Sequence, residues 1–186
     1  METKQKLILA STSPRRAELL RSAGLAFSVR HPDADEQRKE NETPIDYAVR
    51  TAREKAQSIP VENGEVVIGA DTVVAVEGRI LGKPADAADA EEMLRQLSGK
   101  MHEVVTGVCL HARQKTVRFH AATSVLFRDL SDEEIRTYIA TGEPMDKAGA
   151  YAIQGGAVGM VRRIDGSYSN VVGLPLCELI ETLRSF

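Results

Sequence analysis

The segment Ser11-Thr12-Ser13-Pro14-Arg15-Arg16 sets two serine hydroxyls and two guanidiniums after a short apolar run, Leu7-Ile8-Leu9-Ala10. Pro14 suits the first turn of a helix. Backbone N–H groups at a helix start, with the positive end of its dipole, favour anions. The hydroxyls of Ser11 and Ser13 with Arg15 and Arg16 would complete a phosphate cradle, because a guanidinium matches phosphate oxygens two at a time. A capped helix with solvated arginines is the competing reading of the same residues. No GxxxxGK[ST] loop occurs, so this is not a Walker-type site.

Asp71 is the second chemical signal. It interrupts β-rich runs, Val66-Val67-Ile68 before it and Thr72 to Val76 after it, within Gly69-Ala70-Asp71-Thr72. A lone buried carboxylate is costly, so this one must be solvated, paired or metal-bound. At a strand's end it could bind a metal or deprotonate a water. A turn aspartate satisfied by nearby N–H groups fits as well. Lys55, Lys83 and Lys147 could neutralise a polyphosphate, although single lysines are commonly surface charges. Asp33, Asp35 and Glu36 cluster in one polar stretch and offer oxygen ligands to magnesium or manganese, or simply a solvated loop. Gln154-Gly155-Gly156 and Gly166-Ser167-Tyr168 mark places where backbone can approach a ligand, and ordinary turns explain them too. His31, His102, His111 and His120 form no convincing set, and no GxSxG elbow is present.

These residues need elements to hold them. Lys6 to Ala10 reads as a strand, followed by a helix capped by Ser13 and closed at Gly24, and a second strand spans 26–30. Residues 31–43 read as a loop, and Ile45, Ala48, Val49, Ala52 and Ala56 predict a helix over 44–58. Glu77-Gly78 predicts a turn into Arg79-Ile80-Leu81, with Asp86 capping a helix to Leu97. Strands at 102–112 and 116–128 form a predicted hairpin. A helix over 132–141 is capped by Ser131 and ended by Gly142. A strand near Gly159 to Ile164 and a helix over 175–184 complete a mixed α/β chain.

Composition narrows the function. With 42% hydrophobic and 27% charged residues, the 186-residue chain can bury a core without staples, as one domain spanning 1–186. A net charge of −3 argues against a stable nucleic-acid complex, and 4% aromatics without tryptophan argue against a base-stacking platform. No run approaches the roughly 18 apolar residues of a membrane span, and Leu7–Ala10 is too short for a signal peptide. Cys109 and Cys177, far apart and outside any CxxC pattern, suit a reducing compartment and no zinc site, so the cytoplasm is expected.

Taken in order along the chain, the motifs resemble those of the Maf family of nucleotide pyrophosphatases. The resemblance runs from Leu7 to about Leu183. It is carried by Leu9-Ala10-Ser11-Thr12-Ser13-Pro14-Arg15-Arg16, Arg53-Glu54-Lys55-Ala56, Gly69-Ala70-Asp71-Thr72-Val73-Val74 and Gly82-Lys83-Pro84. Leu97-Ser98-Gly99, Thr106-Gly107-Val108, Thr141-Gly142-Glu143-Pro144 and Asp146-Lys147-Ala148-Gly149-Ala150-Tyr151 continue it. Ile153-Gln154-Gly155, Gly166-Ser167-Tyr168 and Val171-Val172-Gly173-Leu174-Pro175-Leu176 close it.

The resemblance implies an inosine-triphosphatase-like α/β fold, a long mixed sheet flanked by helices, in two lobes with a central cleft. It implies hydrolysis of a nucleoside triphosphate to the monophosphate and pyrophosphate, with Asp71 as proton acceptor. Arg16, Glu36, Lys55 and Lys83 fall on positions associated with substrate, metal or catalysis, and a divalent cation, Mg2+ or Mn2+, is expected on Glu36 and Asp71. Arg15, Thr72 and Gln154 match the branch acting on dTTP and UTP, rather than the 7-methyl-GTP branch with its Trp, Gln and Glu. Modified pyrimidine nucleotides and a homodimer stay open. The rival from another class is a non-catalytic nucleotide-binding regulator of cell division, against which the retained Asp71 and its basic partners count.

Overall fold

The structure, a computed structural model, describes residues 5–186. β1 (Lys6–Ala10) is buried from Leu7 onward on both faces, as a strand covered on both sides must be. It pairs in parallel with β2 (Phe27–Arg30) and with β3 (Glu65–Val76). β4 (Arg79–Leu81) folds back antiparallel on β3 through Glu77-Gly78, whose φ angles of 50° and 78° give a turn that matches strand twist. With β5 (Met101–His111), β6 (Thr116–Phe127) and β7 (Val161–Asp165), the described strands form one mixed seven-stranded sheet. Its order is β2-β1-β3-β5-β6-β7, with β4 beside β3.

The helices are α1 (Pro14–Ser22), α2 (Pro44–Gln57), α3 (Ala87–Leu97), α4 (Asp132–Ala140), α5 (Tyr168–Val172) and α6 (Leu176–Ser185). Side chains of Thr43, Asp86 and Ser131 cap α2, α3 and α4, the last in a reciprocal box with Glu134. No helix among the described residues is long and apolar enough to cross a membrane.

The chain divides into two compact units. One comprises residues up to Thr72, Thr106–Ala121 and Gly173–Phe186; the other comprises Val73–Val105 and Ala122–Val172. β3, β5 and β6 each pass from one unit to the other along their length.

In the first unit, the buried side of α2 is Ala48, Thr51, Ala52, Lys55 and Ala56, the i, i+3, i+4 spacing of one helix face. It lies directly on two glycines of the sheet. A Cβ on Gly69 would stand 2.2 Å from the Ala52 carbonyl oxygen, and one on Gly107 would stand 2.4 Å from that of Ala48. Ala52 and Ala56 share one core with Ile8, Ala10, Ile59, Val67 and Cys109. Arg30, the last residue of β2, donates two bonds, 2.8 and 2.6 Å, to the buried Glu65 that begins β3. These bonds hold the Glu65 carboxyl down at about 2.

Three sequence expectations change here. Gly69-Ala70-Asp71 does not separate two strands; β3 runs unbroken through it. Gly69 is there for the approach of α2 and not for a turn, and the charge of Asp71 is met by a lysine, so the strand can continue. Ser13 occupies the cap position of α1 with extended backbone, but its hydroxyl caps nothing. Its amide instead donates to Ser11 Oγ at 3.1 Å. The strand expected from Gly159 starts at Val161, since Gly156–Met160 is a 3-10 turn; further short turns at Glu143–Asp146 and Ala148–Ala150 had no apolar period to announce them.

In the second unit, His102, Phe127 and Tyr151 meet edge to face with ring centroids 4.8–5.4 Å apart. His102 Nε2 lies 2.9 Å from the Tyr151 hydroxyl, and burial pulls the imidazole down to about 4.

Two outcomes follow from this packing. Gly69→Ala drives a methyl into the α2 backbone and should destabilise the protein by about 1–3 kcal/mol or more. Gly82→Ala, with open space at its Cβ position, should leave the urea midpoint where it is; equal midpoints for both variants would contradict the close approach. Between pH 6.5 and 4 the unfolded chain binds a proton at His102 that the folded chain refuses, so stability falls with falling pH across that window. The effect is roughly 3 kcal/mol. His102→Gln should narrow its gap to wild type by that order between the two pH values in urea titrations, and a constant gap would refute the assignment.

Candidate functional site

β1 stops at Ala10, paired with Gly69, while β3 runs on through Asp71 and Thr72. The chain leaving β1 turns through Ser11-Thr12-Ser13 into α1. Arg16 comes from the first turn of α1 and is 8% exposed. Its Nε donates to the Gly173 carbonyl (2.8 Å), Nη1 to Ser11 Oγ (3.3 Å) and Nη2 to Thr72 Oγ1 (3.0 Å). Three of the five N–H groups of the guanidinium are thus committed to the protein, leaving two for a ligand. Burial lowers the Arg16 pKa, Asp71 and Glu36 act against that, and the like charge of Arg15 adds to it.

Thr72 Oγ1 lies 2.9 Å from Thr106 Oγ1 and donates to the Gly173 carbonyl at 3.4 Å, so its hydroxyl is fixed from several directions. Gly173 has a φ of +128°, which L side chains rarely adopt.

On the α2 side, Lys55 projects from the same helix face as Ala52 and Ala56, and Asp71 shares the α2-facing side of β3 with Gly69 two residues before it. The Lys55 ammonium donates to Asp71 Oδ1 at 2.7 Å and pairs with Glu36 Oε1 at 2.9 Å. The Lys55 and Asp71 side chains are 8% and 11% exposed, that of Glu36 50%. One buried cation therefore gathers one buried and one half-exposed carboxylate.

Glu36 belongs to no helix or strand, yet its loop is tied down. Tyr47 of α2 donates its hydroxyl to the Glu36 carbonyl at 2.7 Å. Burial, then the charges of Asp71 and Glu36, push that phenol up to about 12, so it stays a donor. Arg50, one turn on, donates to the Gln37 carbonyl (2.9 Å), Glu42 Oε2 (2.8 Å) and Glu54 Oε2 (2.8 Å). It holds the Glu42 carboxyl down at about 2.

Of the acidic stretch considered for metal, only Glu36 reaches this cluster. Asp35 Oδ1 accepts from the Gln37 amide at 2.8 Å, and Asp33 contributes its own amide to Ser58 Oγ. Among the described residues no three or more His, Cys, Asp or Glu are placed to hold a metal. Glu36 and Asp71 converge on the Lys55 ammonium, and their carboxylates are the hard oxygen donors that a small divalent ion would take.

Lys83 and Gln154 lie in the second unit, both exposed. The Gly82 carbonyl accepts from the Gly149 amide at 3.0 Å, which secures the loop that carries Lys83. Lys147 spends its ammonium locally, on Asp146 and on the Glu143 carbonyl. Thus Ser11, Arg16, Glu36, Lys55, Asp71 and Thr72 come together in one unit, and Ser13 adds a backbone contact only. Tyr47 and Arg50 were not singled out from sequence, and Thr106 and Gly173 stood within the motifs of the resemblance without a role of their own; the i, i+4 spacing of Arg50 and Glu54 was the available signal for Arg50.

The model of the family described as Maf-like protein matches residues 6–186. The chain belongs to the Maf-like proteins. Among its curated Maf-like relatives is the dTTP/UTP pyrophosphatase of Geotalea uraniireducens (strain Rf4), 56% identical over 99% of this chain and 96% of that one. The dTTP/UTP pyrophosphatase of Geobacter metallireducens is 54% identical over 100% and 98%. Among solved structures, the Ham1 protein of Staphylococcus aureus superposes with a TM-score of 0.55 at 15% identity, covering 97% of this chain and 99% of that one. A HAM1 protein from Coxiella burnetii gives 0.51 at 17%, covering 98% and 100%. These two share the fold, the inosine-triphosphatase-like α/β arrangement.

Lys55→Met strands the Asp71 carboxylate in a buried position and should cost about 3–5 kcal/mol of stability. Adding Asp71→Asn should recover part of that loss, and a urea double-mutant cycle measures the coupling. Strict additivity would mean that the two side chains do not interact as described.

Proposed function

We propose that this Maf-like chain hydrolyses dTTP and UTP to the nucleoside monophosphate and pyrophosphate, with Asp71 as the proton acceptor. The observation that carries the reading is the Asp71 carboxylate, buried in mid-strand with Oδ1 fixed by Lys55. The names of the curated relatives supply the substrate class.

Lys55 orients the carboxylate so that Oδ2 takes a proton from water, and the water oxygen forms the new bond to the α-phosphorus. The bond from that phosphorus to the bridging oxygen breaks, and pyrophosphate leaves with the electron pair. Little covalent work falls to the protein, so catalysis rests on position and charge. The two remaining donors of Arg16, with Arg15 and Lys83, balance charge on the departing pyrophosphate. Ser11 and Ser13 line the turn that receives phosphate. Glu36 and Asp71 are the residues that would hold Mg2+ or Mn2+; when bound, the ion neutralises phosphate charge. Arg15 and Gln154 read the base, an arginine and an amide suiting the carbonyl and imide edge of a pyrimidine, while Thr72, whose hydroxyl is committed to Arg16, Thr106 and Gly173, orients Arg16 beside them. A reducing cytoplasm suits the buried Cys109 thiol, which burial pushes up to about 11 and so keeps inert, and the free Cys177.

dTTP should yield dTMP and pyrophosphate in step, with no dTDP on the way. EDTA should stop the reaction and magnesium or manganese restore it. Asp71→Asn, folded by its urea midpoint, should lose about 10²–10⁴-fold in kcat. Release of orthophosphate through dTDP, or an active Asp71→Asn, would sink the reading.

A further inference from the structure

Gln154 stands exposed in the middle of a segment whose backbone is fixed on both sides by two side chains, Tyr138 of α4 and Glu143 of the turn after it. Glu143 begins the turn that follows α4, after Gly142 (φ 75°) ends the helix. Its Oε2 accepts from the Gly156 amide at 3.0 Å, and its Oε1 accepts from the Tyr138 hydroxyl at 3.0 Å. The Tyr138 oxygen in turn accepts from the Ala152 amide at 3.0 Å. The backbone two residues before Gln154 and two residues after it is therefore held by one linked pair. Between them the Gly155 amide donates to the Ala152 carbonyl at 3.0 Å and closes the turn.

The fit leaves no slack. A Cβ on Gly155 would stand 2.0 Å from Glu143 Oε1, and one on Gly156 would stand 3.1 Å from the Tyr138 ring. Ile153 and Ala157 are buried on either side, while Gln154 points to solvent. Tyr138 is 4% exposed, and its burial raises the phenol pKa so that it remains a donor to Glu143. Glu143 itself is held, its amide donating to Thr141 Oγ1 at 3.2 Å and its carbonyl accepting from Lys147 at 3.3 Å.

We infer that Glu143, through Tyr138 and the backbone of residues 152–156, is a positioning residue for base recognition that presents the Gln154 amide in one orientation. The inference rests on the proposed reading of Gln154 as a base-reading side chain. An amide distinguishes a pyrimidine edge only if its donor and acceptor ends arrive in fixed places. A side chain on an untethered loop would lose that discrimination while the phosphate chemistry persisted.

The test is steady-state kinetics on dTTP and UTP for Glu143→Ala, Glu143→Gln, Tyr138→Phe, Gln154→Ala and the double variant Glu143→Ala/Gln154→Ala. Glu143→Ala should raise KM roughly tenfold while kcat falls less than about threefold. Glu143→Gln, whose carbonyl still accepts from the Gly156 amide, should recover most of that. Tyr138→Phe, which deletes one oxygen and keeps the ring on Gly156, should shift KM in the same direction by less. The double variant should match Gln154→Ala alone. If Gln154→Ala raises KM and neither Glu143→Ala nor Tyr138→Phe does, the clamp is wrong and the base reading stands. If Gln154→Ala behaves as wild type, the base reading falls and takes the clamp with it. Multiplying effects in the double variant would show that Glu143 acts by another route, and would overturn the inference.

Discussion

The closeness of α2 to the sheet is the constraint on which the first unit is built. Gly69 and Gly107 lack the Cβ atoms that would collide with the helix backbone, and Ala48, Ala52 and Ala56 give it a surface flat enough to settle. At that separation a lysine on the same helix face meets a carboxylate on the strand, Lys55 to Asp71 at 2.7 Å. A helix displaced outward by a single methyl layer would leave Asp71 buried without its cation. The same helix then reaches outward from its first turns, where Tyr47 and Arg50 grip the loop that carries Glu36. One packing contact thus places residues from a helix, a strand and a loop around one ammonium.

Much of this was legible in the residues and some was misread for definite reasons. Apolar spacing and capping chemistry located α2, α3 and α4 to within a residue or so, because their caps and stops are local. Gly69-Ala70-Asp71 reads locally as a break, since a glycine and a charge both disfavour a central strand. Only the tertiary partner of each, the α2 backbone for the glycine and Lys55 for the aspartate, makes the strand continuous. Ser13 is misread in the opposite way. It has the sequence of a cap, but its own amide is drawn to Ser11, whose hydroxyl also receives Arg16. The 3-10 turns around Gly149 and Gly156 have no period to read, and the roles of Glu143 and Tyr138 exist only once the chain returns to them.

The second unit solves a different problem from the first. Asp71 is positioned by charge pairing inside a packed interface between helix and strand. Gln154 is on an irregular segment, and irregular backbone has no ladder of its own to set a side chain's direction. Hydrogen bonds donated by the Ala152 and Gly156 amides, on either side of it, to Tyr138 and Glu143 replace that ladder. The cost is a glycine at 155, since a side chain there would collide with the carboxylate that does the holding.

The contrast bears on how such a chain can keep its chemistry and change what it acts on. On the proposed reading, Arg16, Lys55 and Asp71 act on the phosphoanhydride from α1, α2 and β3, so altering them disturbs the core as well as the reaction. Buried Lys55, Asp71 and Arg16 allow few substitutions that keep both their charges and their packing satisfied. The segment at 152–156 is anchored by a few hydrogen bonds at its flanks, and its central residue is exposed. Exchanging that residue changes the group offered to a base and leaves the anchoring bonds in place. On that reading, specificity is free to drift at Gln154 while hydrolysis is held fixed by the approach of α2 to Gly69.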